Sequence, residues 1–202
     1  MNYLAIDTCT NNLTLVLSVE GKLYTVHDTE CGAKHSVTLM PCVEKLLQQA
    51  NTDLSKMDFI ACVVGAGSFT GIRIGVSTVK ALCFAYNKPC LSVTSFDTLA
   101  YNEKTGKVLA VIDAKHDGYY VCGYQDQKVI LPPSYVNGKD LNQLEKEYLL
   151  VASQNIDGKN VKIVSLLQGL ITATEQKQKE ITLDLDSLIP LYVRKSQAEE
   201  GR

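Results

Sequence analysis

The sequence predicts an α/β protein of two related lobes, and three observations carry that prediction. Short apolar runs bounded by glycine or polar turns alternate with longer helical patterns in both halves, as strands interleaved with helices do. The segment from Leu4 to Lys22, LAIDTCTNNLTLVLSVEGK, repeats in outline from Leu109 to Lys128, LAVIDAKHDGYYVCGYQDQK. Each copy passes from an apolar strand to an Asp, through a polar turn, into an alternating second strand. Two unrelated hairpins would leave a similar trace. Third, Asp58 to Tyr86 joins an apolar run, a glycine-rich loop and a second, longer apolar run.

The first lobe opens with its hairpin, in which Asp7 matches Asp113 of the second copy. A helical pattern follows from Ala33 to Gln49, apolar at Val37, Leu39, Met40, Val43, Leu46, Leu47 and Ala50, with Pro41 inside it to bend it. Phe59 to Val64 is short, partly β-branched and closed by Gly65, the pattern of a strand buried on both faces. Gly65, Gly67 and Gly71 then permit backbone angles and close approaches that a Cβ would forbid. Ile72 to Tyr86 is apolar around most of its circumference, with Arg73 and Lys80 as its only charges. A helix hydrophobic on all sides must be covered on all sides.

A strand at Cys90–Thr94 and a short helix capped by Ser95 complete this lobe. The polar stretch from Asn102 to Lys107, containing Gly106, is the expected linker. It divides a first lobe at 1–103, carrying partner-binding helices, from a smaller second lobe at 104–202. After its hairpin the second lobe is expected to hold a loop at Pro132 and Pro133 and a helix near Leu141 to Tyr148. A strand at Leu149–Ala152 and a helix from Val161 to about Gln178 should follow. The segment Ile189 to Arg194 reads as strand-like, with Pro190 tolerable only at an edge.

With 202 residues, 46% of them hydrophobic and 21% charged, the chain has ordinary globular composition. The start MNYLAIDT lacks the basic region of a signal peptide, and no apolar run is long enough to span a bilayer. A cytoplasmic protein without membrane contact is expected. The seven cysteines are scattered without a CxxC pair, which favours reduced, buried thiols over disulfides or a metal site. A net charge of -2 and a pI near 5.9 argue against unaided binding of nucleic acid; contact with RNA would need a basic partner.

The loop GAGSFTG from Gly65 to Gly71 follows a strand and precedes a helix, where phosphates bind. It lacks the Gly-Lys-Ser/Thr of a Walker A loop and is one step off the dinucleotide fingerprint. Two readings stand: a weak or shared nucleotide site of Asp7, Gly65, Gly67, Ser68 and Gly71, or a tight turn whose glycines allow close packing. Asp7 could hold a magnesium-bound phosphate through water, or it could cap its own turn. The second copy, IDAKHDGYY, lacks paired glycines for another phosphate. His27, His35 and His116 have no second His or Cys at ligand spacing, and His35 reads as a first-turn packing residue. Ser68 has no assignable base, so no catalytic residue and no metal ligand is expected. The wide apolar faces of the two long helices give a partner interface at Val37, Met40, Leu47, Ile72, Gly75, Val76 and Val79, unless both helices are covered within their own lobe.

Several motifs together resemble one family. AIDTCTNNLTLVL, KHSVTLMPCVEKLL, VVGAGSFTGIRIGVSTVKAL, VTSFDTLA, IDAKHDGYY and PLYVRK occur in order over nearly the whole chain, and they are similar to the TsaB family, formerly YeaZ. The GxGSFTGxRIG core is its specific part; the chain departs from the usual loop at Ala66, where proline is common. The resemblance implies an actin-like ATPase fold in which Asp7 faces a cleft between the lobes. It implies a non-catalytic partner of the paralogous transferase TsaD, which attaches a threonylcarbamoyl group to the tRNA adenosine beside the anticodon, assisted by the ATPase TsaE. The catalytic sibling carries a His-x-x-x-His metal pair where this chain reads Ser95-Phe-Asp-Thr-Leu99. The implied cofactors are therefore ATP or ADP and a metal in the complex, with none of this chain's own. The implied assemblies are a heterodimer with the sibling and a homodimer in isolation. The competing class is a free-standing ATPase or small-molecule kinase of the same fold; a glycopeptidase-like hydrolase would need the missing metal or nucleophile.

Overall fold

The computed structural model describes residues 1–194; residues 195–202, the end of the expected second lobe, lie outside the described residues. The element order is β1 (Tyr3–Asp7), β2 (Leu13–Val19), β3 (Lys22–Asp28), α1 (His35–Gln49), β4 (Phe59–Val63), α2 (Phe69–Tyr86), β5 (Cys90–Val93) and α3 (Ser95–Ala100). It continues with β6 (Lys107–Lys115), β7 (Gly118–Gln125), β8 (Lys128–Asn137), α4 (Gly138–Leu144), β9 (Leu149–Ala152), β10 (Lys162–Ile163) and α5 (Leu166–Gln176).

Two five-stranded sheets form, ordered β3-β2-β1-β4-β5 and β8-β7-β6-β9-β10. In each, the first three strands form an antiparallel meander and the last two join the first in parallel. The duplication expected from the hairpins therefore extends to the whole sheet, and it gives the paired lobes that the resemblance implies. β1 and β4 are buried at every residue, which explains why they read as unbroken apolar runs. α1 and α2 touch each other over one face of the first sheet, while α5 packs on β2, β1 and β5 from the other.

In the second lobe alternation decides the faces. Val108 and Ala110 of β6 join Phe96, Leu99 and Ala100 of α3 in one cluster, whereas Leu109 and Val111 face Leu141, Leu150 and Ile156 in another. Residue 103 thus separates the sheets without separating the helices. α3 precedes the expected boundary and covers the second sheet. α5 and Leu188 follow it and fill the first lobe's core. The second lobe's own helix, α4, has only 7 residues, too little to cover both faces of its sheet.

Some local expectations need correcting. The cap of α3 is Thr94, one residue before Ser95, in a reciprocal box with Asp97. Pro132 and Pro133 lie inside β8 at the sheet edge, where the register slips between Val121 and Gly123; an edge strand with an irregular ladder can lack the proline N–H. α4 starts and ends earlier than the apolar pattern suggests, since Asn137 caps it by accepting from Asp140 N. α5 begins after Ser165, and residues 162–163 instead form β10. The segment from 189 to 194 joins no ladder; Leu191 N donates to Val64 O at 2.7 Å and ties the tail to the glycine loop. Pro41 sits, exposed, inside an unbroken α1.

One buried node joins three distant segments. Asp97 on α3 accepts from Tyr124 of β7 at 2.9 Å, from Lys177 at the end of α5 at 2.9 Å, and from Thr94 N at 2.8 Å. Asp97 and Lys177 are both shielded, with 4% and 14% side-chain exposure. Replacing one member strands the other, which typically costs about 3–5 kcal/mol. We therefore expect Asp97→Ala to lose about that much stability in urea unfolding, with Lys177→Met losing less because the Asp97 carboxylate left behind keeps the Tyr124 hydroxyl and the Thr94 amide as donors. Equal losses would show that those two donors do not compensate the buried carboxylate.

Candidate functional site

The two lobes meet across a cleft of about 410 Å³. Its first-lobe wall is the β1–β2 turn at Cys9–Asn12 together with Gly67 and Ser68; its second-lobe wall is the end of β6, including Asp113 and Lys115, with Ser153 and Gln154 after β9. The duplicated hairpins thus face each other across the cleft.

Asp7 and Asp113 fold their turns in the same way. Asp7 Oδ1 accepts from Cys9 N at 2.8 Å, and Asp113 Oδ1 accepts from Lys115 N at 2.7 Å, each a carboxylate bonding the amide two residues on. Their surroundings differ. Asp7 is only 1% exposed, and burial raises its pKa against the pull of the Cys9 amide. It does not line the cleft, which corrects the expectation that it faces there: the turn from Thr8 to Asn12 folds over it. Asp113 does line the cleft, and Lys115 bridges it at 2.9 Å, lowering its pKa through that hydrogen bond.

The glycine loop owes its form to packing. A Cβ at Gly67 would collide with the carbonyl oxygen of Cys9, and one at Gly71 with that of Thr8. At Gly75 it would lie 2.6 Å from Thr8 Oγ1, and at Gly65 2.7 Å from Leu191 O. Gly65 and Gly67 also have φ of +113° and +155°. The seam is bonded as well: Ser68 N donates to Cys9 O at 2.7 Å, and Thr8 Oγ1 donates to Gly71 O at 2.7 Å. Ser68 caps α2 by accepting from Gly71 N. Of the five expected nucleotide-site residues, only Gly67 and Ser68 reach the cleft; Asp7, Gly65 and Gly71 are buried behind it.

The helix faces are also redistributed. Ile72, Gly75 and Val79 are buried against their own sheet, so these expected interface residues belong to the core, while Val76, also buried, reaches the floor of a groove at the start of α2. The sheet covers one side of α2 and leaves the other open. There, Phe84 is 82% exposed, and Arg73 stands 3.8 Å over the Phe69 ring while donating to Tyr192 Oη at 3.0 Å. On α1 Val37 is 68% exposed and Met40 and Leu47 are half-buried, so these three remain available. His35 is buried, with Nε2 3.1 Å from Asn12 O, a packing residue as expected. Ser95 and Leu99 are both buried. Among the described residues no group of three or more His, Cys, Asp or Glu could hold a metal. Among the described residues no helix is long and apolar enough to cross a membrane.

Residues 22–155 match the family model described as "TsaD: tRNA N6-adenosine threonylcarbamoyltransferase". A tRNA threonylcarbamoyladenosine biosynthesis protein TsaB of Escherichia coli is 30% identical over 76% of this chain and 71% of its own length. That level and extent decide the matter. The chain belongs to the TsaB family. The TsaB of Bacillus subtilis is 29% identical over 98% of this chain and 96% of its own length. The solved structure of YeaZ from Pseudomonas aeruginosa shares the fold, with a TM-score of 0.71, 24% identity and coverage of 95% and 99%. The chain therefore shares the two-lobed fold of YeaZ and belongs to a family of tRNA threonylcarbamoyladenosine biosynthesis proteins.

The seam predicts a specific mutational pattern. Gly75→Ala meets a side-chain oxygen, so its loss, about 1–3 kcal/mol for overpacking, should be partly relieved in combination with Thr8→Ala. Gly71→Ala meets backbone and should show no such relief. Chemical denaturation of the single and double variants checks this; strict additivity at Gly75 would mean that Thr8 is not the obstacle.

Proposed function

We propose that this TsaB-family chain is a non-catalytic, activating subunit of the complex that attaches the threonylcarbamoyl group to the tRNA adenosine beside the anticodon. The observation that carries the proposal is the uncovered apolar surface on two helices that touch each other: Val37 on α1 and Phe84 on α2 are the most exposed apolar side chains of those helices. A groove of about 610 Å³, lined by Phe69, Ile74, Val76 and Pro190 among others, extends that surface at the start of α2. Exposed apolar surface of this kind marks protein contact. We assign it to a TsaD-like paralogue as a heterodimer, and in isolation to a second copy.

The catalytic work falls to that sibling in this reading. The positions matching its metal pair are here packed inside α3, and Asp113 and Lys115 neutralise each other in the cleft. A free-standing ATPase or kinase needs positive charge or a metal at the phosphates, and nothing favours it here. The ATP or ADP and the metal belong to the complex, a TsaE-like ATPase assists it, and tRNA is reached only through it. The setting we assign is the cytoplasm, without membrane contact.

Two outcomes are expected. The purified chain alone should neither modify tRNA nor release phosphate from ATP at an enzymic rate, about 1 per second or more. Val37→Glu and Phe84→Glu should fold normally, because both side chains lie in solvent, yet weaken the complex with the paralogue in sedimentation and lower modification by the reconstituted system. Val79→Glu, with its side chain wholly buried, should instead unfold the chain. Intact complexes with both surface variants would place the interface elsewhere.

A further inference from the structure

Each sheet ends in two edge strands, and an edge left open is a template for a further strand. Among the described residues three of the four edges are blunted. β5 is closed by Thr182, which exchanges two backbone hydrogen bonds with Cys90 at 2.8 and 3.0 Å. β8 carries Pro132 and Pro133 and a slipped register, and β10 has only 2 residues. β3 has none of these devices. Its 7 residues pair with β2 without a break from Lys22 to Asp28, and KLYTVHD contains neither proline nor glycine. The sheet stops at β3, and among the described residues no other segment sends a backbone hydrogen bond to its outer side.

The charges on this edge are self-complementary. Lys22 and Asp28 close its two ends on one face, with Tyr24 and Val26 between them. Neither takes part in an ion pair among the described residues. An antiparallel copy of the strand centred on Thr25 sets Lys22 against Asp28, Tyr24 against Val26 and Leu23 against His27, each twice, and Thr25 against itself. Opposite charges and an aromatic beside a β-branched side chain are favourable cross-strand neighbours. Glu20 and Glu30 lie in the turns that bound the strand, off the ladder. A parallel copy in register would instead set Lys22 on Lys22 and Asp28 on Asp28.

We propose that β3 pairs antiparallel with β3 of a second copy of this chain, about a two-fold axis at Thr25, joining the two first-lobe sheets into one. Such a contact is self-complementary and closed, so it stops at two chains. It goes beyond the partner-docking reading and does not depend on it, since it uses the backbone edge of β3 and neither Val37 nor Phe84.

The test is cross-linking and sedimentation of the full-length chain carrying Phe84→Glu, so that contact through the helices does not contribute. Residues directly opposite in an antiparallel pair have Cα atoms about 4.5–5.5 Å apart, within reach of a disulfide. Thr25 and Leu23 are both exposed, so a cysteine at either should leave the fold intact. With diamide as oxidant, Thr25→Cys should give a covalent dimer on a non-reducing gel. Leu23→Cys, whose counterpart lies about 13 Å along the ladder, should give none above the background set by the native cysteines. In sedimentation the chain should be dimeric at high-micromolar and monomeric at nanomolar concentration. Lys22→Glu sets like charges opposite each other twice and should weaken the dimer by about tenfold. Adding Asp28→Asn removes that repulsion and should recover part of the loss, while its side-chain oxygen can still accept from Glu30 N as Asp28 does. Equal cross-linking at residues 25 and 23, or a chain that stays monomeric at high-micromolar concentration, overturns the proposal.

Discussion

The seam between the glycine loop and the β1–β2 turn is the constraint on which the rest of the first lobe depends. Gly67, Gly71 and Gly75 bring the loop and α2 against Thr8 and Cys9 at distances that no Cβ permits. Two hydrogen bonds then fasten the contact, Ser68 N to Cys9 O and Thr8 Oγ1 to Gly71 O. Interiors packed this closely transmit displacement instead of absorbing it. The seam therefore fixes the height and rotation of α2 on the sheet. That one placement buries Ile72, Val76 and Val79, leaves Phe84 in solvent, and sets Ser68 at the mouth of the cleft. The exposed apolar face of α2 and the cleft wall are two consequences of one close contact.

The relation between the lobes rests on an exchange of helices. Each lobe lends the other an element that it cannot cover without: α3 closes one face of the second sheet, and α5 closes one face of the first. The Asp97 node lies where the two loans meet, joining α3, β7 and the end of α5 by hydrogen bonds to a single carboxylate. Such a node confers little net stability over a hydrophobic equivalent, but it tolerates only one arrangement of its members. The tail adds a second tie on the far side, with Leu191 packed against the cores of both lobes. The cleft is consequently built between walls whose separation is set by packing.

The sequence made the fold legible where periodicity was strong and local. The repeat of LAIDT and LAVID foretold two matching hairpins, and the apolar runs at Phe59 and Ile72 marked β4 and α2 to within a few residues. What could not be read was anything requiring knowledge of which side of a helix the sheet would take. The apolar residues of α2 form a nearly continuous band, so Val79 in the core and Phe84 in solvent look alike as letters. Nor could the partners of Asp97 be found, since Tyr124 and Lys177 stand 27 and 80 residues away with no motif between them. The cleft was half legible. Its first wall follows the Asp-turn and the glycine loop, whereas Gln154 comes from an unremarkable stretch after β9.

The two hairpins show how a duplicated element can keep its geometry while its chemistry diverges. Both preserve the carboxylate that bonds the amide two residues on, and that bond closes the turn in each lobe. Beyond that requirement the copies are free to differ. In the first, the turn is pressed under the glycine loop, and the carboxylate is sealed from solvent with its pKa raised. In the second, no glycine loop follows, so Asp113 stays at the cleft and takes Lys115 as its counterion. The two carboxylates therefore end in different settings: Asp7 is covered and Asp113 is paired with Lys115 at the cleft. The polar groups that remain at the cleft are amides and hydroxyls, and their chemistry follows from a structural duty imposed on both aspartates.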